Sequence, residues 1–294
     1  MNKMTTIERR AMARISTEAG NMLIVAADQR NSMKAVVADA PSGTDAISTA
    51  ELGQIKGDLV KYLANEAPAV LLDPEVALPQ IPDEGIIDKN TALVVGMDAS
   101  GYETVDGLRF TRFVEGMSVK RAREFGADAI KMLWYVRPDR QDENSRVATE
   151  IRDLVAECER AGVLLIVELL TYQLEGETDE EYASAFGSLV AEGARLAVKC
   201  GSKVLKLQYP GSAEGCRLVE EASQGVPWAV LSAGVEHDTF VQQLAIAMEN
   251  GAAGAMAGRA LWKDSLSYDA DKRRDLLTTR ALPRLRDLEE VVDR

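Results

Sequence analysis

The chain has 294 residues, 46% of them hydrophobic, enough for a large core and, by length alone, for one α/β barrel or two smaller domains. With 47 acidic against 34 basic residues the formal net charge is −13, which argues against a nucleic-acid or anionic-membrane surface and for a soluble protein. Cys158, Cys200 and Cys216 are widely spaced and accompanied by one histidine, so neither a disulfide framework nor a metal site is indicated, and reduced thiols point to the cytoplasm.

Residues 7–17 have the spacing of a short amphipathic helix, and residues 1–14 lack the apolar core of a signal peptide. Met22-Leu23-Ile24-Val25-Ala26-Ala27 is a continuous apolar run, a first buried strand, and Asp28-Gln29-Arg30 follows it directly. A helix over 51–65 precedes a second strand, Ala69-Val70-Leu71-Leu72, which stops at Asp73-Pro74 because proline has no N–H to donate. Strand three, Ala92-Leu93-Val94-Val95, runs into a loop through Gly101 and Tyr102 and then a helix over 116–125. Strand four is Ala129-Ile130-Lys131-Met132-Leu133, with a charged loop at 137–145 and a helix at 146–161 behind it. Strand five, Val163-Leu164-Leu165-Ile166-Val167, ends at Glu168 before a long helix at 179–200.

Strand six carries Lys206 inside Val204-Leu205-Lys206-Leu207-Gln208-Tyr209-Pro210, and a helix over 214–223 follows. Strand seven, Trp228-Ala229-Val230-Leu231, ends at Ser232-Ala233-Gly234. His237 sits in the polar run Glu236-His237-Asp238-Thr239 at a helix start, where a solvated side chain is expected and a Ser-His-Asp triad has little to build on. A helix over 237–249 leads to strand eight, Ala253-Gly254-Ala255-Met256-Ala257, ending at Gly258-Arg259, and a charged helical tail occupies 263–294.

Eight apolar strands separated by helix-length segments, with no visible linker, predict a closed parallel (β/α)8 TIM barrel forming a single domain over 1–294. An open doubly wound sheet is the alternative. A barrel of this kind builds its active site at the C-terminal ends of its strands. Placed there, Asp28, Gln29, Arg30, Asp73, Lys131, Glu168, Lys206, Ser232, Gly234, Gly258 and Arg259 converge on one mouth.

A lysine in a buried strand is either paired or put to use. Desolvation favours its neutral form, and a neutral amine attacks a ketone to give a Schiff base; the plainer reading of Lys206 is an ion-paired or snorkelling strand-end residue. Lys131, two strands away, would lower the pKa of Lys206 by like-charge repulsion, or would simply pair with Glu168 or Asp28. Glu168 and Asp28 are candidate proton carriers as well as counter-ions. The small residues of 232–234 and 257–258 allow close approach of backbone N–H groups to an anion, and Arg259 adds a bidentate donor.

With these residues in place the chain resembles the class I tagatose-1,6-bisphosphate aldolases and the related sulfofructose-phosphate (6-deoxy-6-sulfofructose-1-phosphate) aldolases. The likeness rests on Ala27-Asp28-Gln29-Arg30, Leu71-Leu72-Asp73-Pro74-Glu75, Ala129-Ile130-Lys131 and Val167-Glu168-Leu169-Leu170-Thr171-Tyr172. It continues through Val204-Leu205-Lys206, Leu231-Ser232-Ala233-Gly234-Val235 and Gly258-Arg259-Ala260-Leu261-Trp262, in order from about residue 20 to 262. The resemblance implies reversible cleavage of a ketose phosphate to dihydroxyacetone phosphate and a three-carbon aldehyde, with no metal and no cofactor. It puts the imine on Lys206, the second active-site lysine on Lys131, and the phosphate grip on 232–234, Gly258 and Arg259. Gln29, Arg30 and Asp73 are further substrate-binding candidates. Gln208 departs from the family, which carries an acidic residue there, and bears on the substrate more than on the reaction. A homo-oligomer is expected, and the expected partner is a small sugar phosphate, not a nucleic acid or a membrane. The competing reading is a non-catalytic, sugar-phosphate-sensing barrel; a metal-dependent aldolase would need several histidines where only His237 exists.

Overall fold

The computed structural model describes residues 3–294. Among the described residues ten strands follow one another: β1 (Met22–Ala27), β2 (Ala69–Leu72), β3 (Ala92–Gly96), β4 (Asp98–Val105), β5 (Leu108–Phe113), β6 (Ala129–Tyr135), β7 (Leu164–Leu170), β8 (Leu205–Gln208), β9 (Trp228–Leu231) and β10 (Gly254–Ala257). Eight of them close into a ring in the order β1-β10-β9-β8-β7-β6-β3-β2, every neighbour parallel. This is the predicted (β/α)8 barrel, and the open sheet is excluded by the β1–β10 pairing.

Side chains alternate between two apolar layers because a strand has period two. On β1, Met22, Ile24 and Ala26 point into the barrel, where they meet Ala69, Leu71, Val94, Ala129, Ile166 and Val204. Leu23, Val25 and Ala27 point outward into the larger layer between strands and helices. The helix Arg146–Ala161 turns Val147, Ala148, Ile151, Leu154 and Cys158 into that outer layer, the spacing expected of one helical face. Below, the helix Thr6–Arg14 closes the barrel floor with Ala11 and, just past its end, Ile15. Its Glu8 is buried against Lys203 at 2.8 Å, and Glu159 also pairs with that lysine.

The interior changes character on moving up the strands. Ala129 is followed two residues later by Lys131, Ile166 by Glu168 and Val204 by Lys206, so period two places these three on the interior face one layer above the apolar one. They form the floor of the mouth.

Two expectations are corrected. The segment read as a loop through Gly101 and Tyr102 is an antiparallel hairpin, β4 and β5, turning at Asp106-Gly107. Both turn residues have positive φ, 51° and 76°, as a tight hairpin demands. His237 is not solvated: it is buried, with Nε2 3.2 Å from Asp287 Oδ2. The tail covers it, since the helix Leu282–Val292 packs on the helix His237–Glu249 and buries Leu285, Leu288, Val291 and Val292. No helix among the described residues is long and apolar enough to cross a membrane.

A second buried ion pair ties helix to barrel. Lys56, fully buried on the helix Thr49–Tyr62, donates to the Ala27 carbonyl at 2.8 Å and pairs with Asp73. The other Asp73 oxygen accepts the N–H groups of Glu75 and Val76 at 3.1 and 2.9 Å. Lys56→Met would leave the buried Asp73 carboxylate with only the more distant Arg30, 3.9 Å from its other oxygen, and a loss of about 3–5 kcal/mol is expected in denaturant unfolding. A loss below about 1 kcal/mol, the range of a surface pair, would mean that Asp73 does not depend on Lys56.

Candidate active site

The mouth is organised around Lys131. Its Nζ lies 2.7 Å from Asp28 Oδ2, 2.8 Å from Asp98 Oδ1 and 3.0 Å from Glu168 Oε2, and the side chain is only 2% exposed. Each carboxylate arrives from a different element: Asp28 follows β1, Asp98 opens β4 and Glu168 sits on β7. Lys206, the register partner of Glu168 on β8, places its Nζ 3.0 Å from the same Glu168 Oε2. One carboxylate oxygen therefore touches both lysines.

The charges of this cluster are set by burial and by one another. Burial alone would raise the Asp28 and Glu168 carboxyls, but the Lys131 and Lys206 ammoniums outweigh it and hold both below their ordinary values. Burial would also lower Lys131, yet Asp28, Asp98 and Glu168 together push it well above the usual lysine value. Asp98 goes the other way: burial, with the Asp28 and Glu168 charges behind it, raises its carboxyl against the pull of Lys131. Asp98 is thus the carboxyl of the three most disposed to keep a proton.

This changes the part expected of Lys131. An ammonium matched by three carboxylates is not a free charge pressing on Lys206; it gathers Asp28, Asp98 and Glu168 and fixes Glu168 beside Lys206. The ion pairs to Glu168 and Asp28, the plainer reading of Lys131, are present.

Above Lys206 lies a cavity of about 250 Å³ between the ends of β1, β7, β8, β9 and β10. Lys206, Glu168, Gln29, Gln208, Ser232, Gly234, Gly258 and Arg259 line it. Lys131 and Asp28, paired with each other, do not line it, and neither do Arg30 and Asp73. Arg30 is occupied by Glu75 at 2.8 Å, the Asp98 carbonyl at 2.8 Å and Ser100 at 3.1 Å, while Asp73 serves Lys56. Larger clefts open elsewhere on the surface, one of them between Pro138 and Lys199, but no buried lysine faces them.

The rim on the β9 and β10 side is built for close approach. Ser232 Oγ accepts the Gly258 N–H at 3.1 Å and locks the two strand ends together. Ala233 and Gly234 turn with φ of 48° and 80°, and a side chain on Gly234 would come within 3.3 Å of the Arg259 guanidinium. Among the described residues no carboxylate pairs with Arg259, so its donors are left for something else. Gln29 donates to Asp28 at 3.0 Å, and its buried Oε1 has no partner among the described residues. Gln208 accepts the Thr171 N–H at 2.8 Å, so the residue that departs from the expected acid holds β8 to the end of β7. Asp98 was missed in the sequence. Asp28 directly follows its apolar strand, whereas Asp98 lies two residues past the end of β3 at Gly96, behind Met97.

An eight-stranded parallel barrel with paired lysines and carboxylates at the C-terminal strand ends is the architecture of a lysine-bearing barrel enzyme. Residues 22–264 match the DeoC/LacD family aldolase, and the chain belongs to that family, a family of carbon–carbon lyases. The chain is 28% identical over 320 aligned positions to tagatose 1,6-diphosphate aldolase 2 of Streptococcus pyogenes serotype M1, covering 99% of this chain and 96% of that one. It is 29% identical to a tagatose 1,6-diphosphate aldolase of Streptococcus agalactiae serotype V, over 92% and 89% of the two chains. Among solved structures, an archaeal fructose 1,6-bisphosphate aldolase shares the fold with a TM-score of 0.65 at 18% identity, over 97% of this chain and 98% of that one. The fructose-bisphosphate aldolase of Slackia heliotrinireducens does so with a TM-score of 0.67 at 16% identity, over 98% and 90%.

Lys131→Met tests the cluster. Asp28 and Glu168, held low by the lysines, contribute stability above their ordinary values that is lost as pH falls through the folded ones; Lys131, held high, contributes stability below its ordinary value. Without Lys131 the carboxyls rise, and acid then relieves their repulsion. The variant should lose about 3–5 kcal/mol at pH 8, with a smaller loss at pH 5, in denaturant unfolding. An equal loss at both pH values would show that the three carboxylates do not depend on Lys131.

Proposed function

We propose that the protein is a class I aldolase that cleaves a ketohexose phosphate reversibly to dihydroxyacetone phosphate and a three-carbon aldehyde, through an imine on Lys206. The observation that carries this reading is the inequality of the two buried lysines. Lys131 has three carboxylate partners and a strongly raised pKa, so it keeps its proton. Lys206 has one carboxylate partner and opens on the cavity.

The neutral amine of Lys206 adds to the C2 carbonyl, and the carbinolamine loses water to give a protonated imine. Breaking the C3–C4 bond then sends its electron pair toward the imine nitrogen, while the C4 hydroxyl gives up its proton and leaves as the aldehyde. Protonation of the resulting enamine at C3 and hydrolysis of the imine release dihydroxyacetone phosphate and restore the amine. Glu168, 3.0 Å from Lys206, is the carboxylate placed to carry protons in these steps. Lys131 keeps Glu168 in place and keeps it ionised between transfers.

The phosphate on C1 falls to Arg259 and to the N–H groups of the 232–234 turn, which have the small residues such a grip needs. Tagatose 1,6-bisphosphate and 6-deoxy-6-sulfofructose 1-phosphate are the two substrates that fit the reading; the relatives' names favour the first, and the resemblance of the sequence admits both.

Lys206→Arg tests the reading, because a guanidinium stays protonated and cannot add to a ketone. Turnover should vanish while the fold and the Glu168 ion pair persist; residual cleavage within tenfold of wild type would remove the imine. Activity should also survive chelation by EDTA, since the protonated imine serves as the electron sink. Loss on chelation with recovery on adding a divalent ion would contradict it. Arg259→Ala should raise KM for the phosphorylated ketose, with a loss of about 1.5–3 kcal/mol in kcat/KM for one charged hydrogen-bonding contact. Unchanged kinetics would make Arg259 a structural residue.

A further inference from the structure

The hairpin that the sequence did not announce carries a cation with no anion to match it. Arg109, the second residue of β5, places its guanidinium carbon 4.5 Å from the ring centre of Tyr102 on β4 and 4.5 Å from that of Tyr172 beyond β7. Its backbone N–H donates to the Tyr172 hydroxyl at 2.8 Å. Tyr135, at the end of β6, closes the box edge-on, with ring centres 5.1 Å from Tyr102 and 6.0 Å from Tyr172. The nearby arginines Arg30, Arg137 and Arg146 all have carboxylate partners. Among the described residues no carboxylate pairs with Arg109, and its side chain makes no hydrogen bond. Two aromatic faces hold the planar group and leave its N–H edge for a bidentate acceptor.

The place of this box matters as much as its chemistry. Lys131, Leu133 and Tyr135 lie at i, i+2 and i+4 on the interior side of β6, so the box stands about 13 Å further up the strand than Lys131, over the mouth. Burial and the Asp98 charge raise the Tyr135 hydroxyl, against the pull of Arg109. Around the ring of strands the order is β10, β9, β8, β7, β6. In that order stand the anion grip of Arg259 and Ser232, the amine of Lys206, the carboxylate of Glu168, and then the Arg109 box. On the aldolase reading, a ketose held at C1 by the first and at C2 by the second would extend its far end toward the last.

We propose that Arg109, clamped by Tyr102 and Tyr172, is the distal-anion site: it binds a tetrahedral oxyanion, phosphate or sulfonate, on the terminal carbon of the aldehyde half of the substrate. This rests on the aldolase reading above. It makes the β4–β5 hairpin the specificity element of the mouth, and it assigns the far anion to neither Arg30 nor Arg259, the first already occupied and the second on the opposite rim.

The test compares kcat/KM of the full chain on three ketoses: tagatose 1,6-bisphosphate, 6-deoxy-6-sulfofructose 1-phosphate, and a ketohexose 1-phosphate with a neutral C6. The wild type should prefer at least one C6 anion over the neutral C6 by roughly 10- to 100-fold, the worth of one charged hydrogen-bonded contact. Arg109→Gln should collapse that preference to within about threefold, and Arg109→Lys, which keeps the charge but not the planar fork, should retain part of it. Whichever preference collapses names the anion. Reductive trapping of dihydroxyacetone phosphate, which lacks the distal anion, reports whether each variant has a folded imine site. The proposal is overturned if the wild type shows no preference, if Arg109→Gln keeps it, or if that variant loses all three substrates equally. If the wild type traps nothing and cleaves nothing, the aldolase reading itself fails, and this assignment falls with it.

Discussion

One oxygen of Glu168, 3.0 Å from both Lys131 and Lys206, is the contact on which the mouth of this barrel depends. A buried carboxylate is tolerated only with a cation beside it, and a buried ammonium only with an anion. Sharing one oxygen between two lysines satisfies both demands and makes the lysines unequal. The lysine with additional carboxylates, Asp28 and Asp98, becomes a fixed charge. The other is left with a single partner and an open side. The chemistry assigned to Lys206 rests on that asymmetry more than on its own burial.

The barrel supplies the asymmetry through strand order and period. β6, β7 and β8 are consecutive in the ring, and Lys131, Glu168 and Lys206 all lie two residues past a buried interior apolar residue. Parallel register then sets Glu168 directly beside Lys206. The apolar layer below, from Met22 to Met256, gives these polar groups a dry and rigid floor. The buried Lys56–Asp73 pair does a different job, tying the first long helix and the end of β2 to the carbonyl of Ala27, one residue before Asp28.

Much of this was legible in the sequence. The apolar runs at 22–27, 69–72 and 92–95 mark buried strands because few other structures hide so short an apolar run between helices, and Lys131, Glu168 and Lys206 stand out as charges within or just past such runs. What was not legible depends on partners distant in the chain. Lys56 reads as an ordinary polar helix residue until Asp73 is seen to bury it. His237 reads as solvated until the tail helix covers it. The β4–β5 hairpin lacks an apolar run since most of β4 is exposed, and only Asp106-Gly107 signals its turn. Arg30 and Asp73 look like ligand-binding residues by position, yet their side chains are taken up by Glu75 and Lys56. A strand-end position says that a group is near the mouth and not whether its charge is already matched.

The measurement that bears most directly on the account is peptide mass mapping after borohydride reduction of the protein with dihydroxyacetone phosphate. If the lysines differ as their partners imply, the adduct lies on Lys206 and Lys131 is unmodified. An adduct on Lys131, or no adduct on either lysine, would contradict the division of labour between the shared carboxylate's two partners.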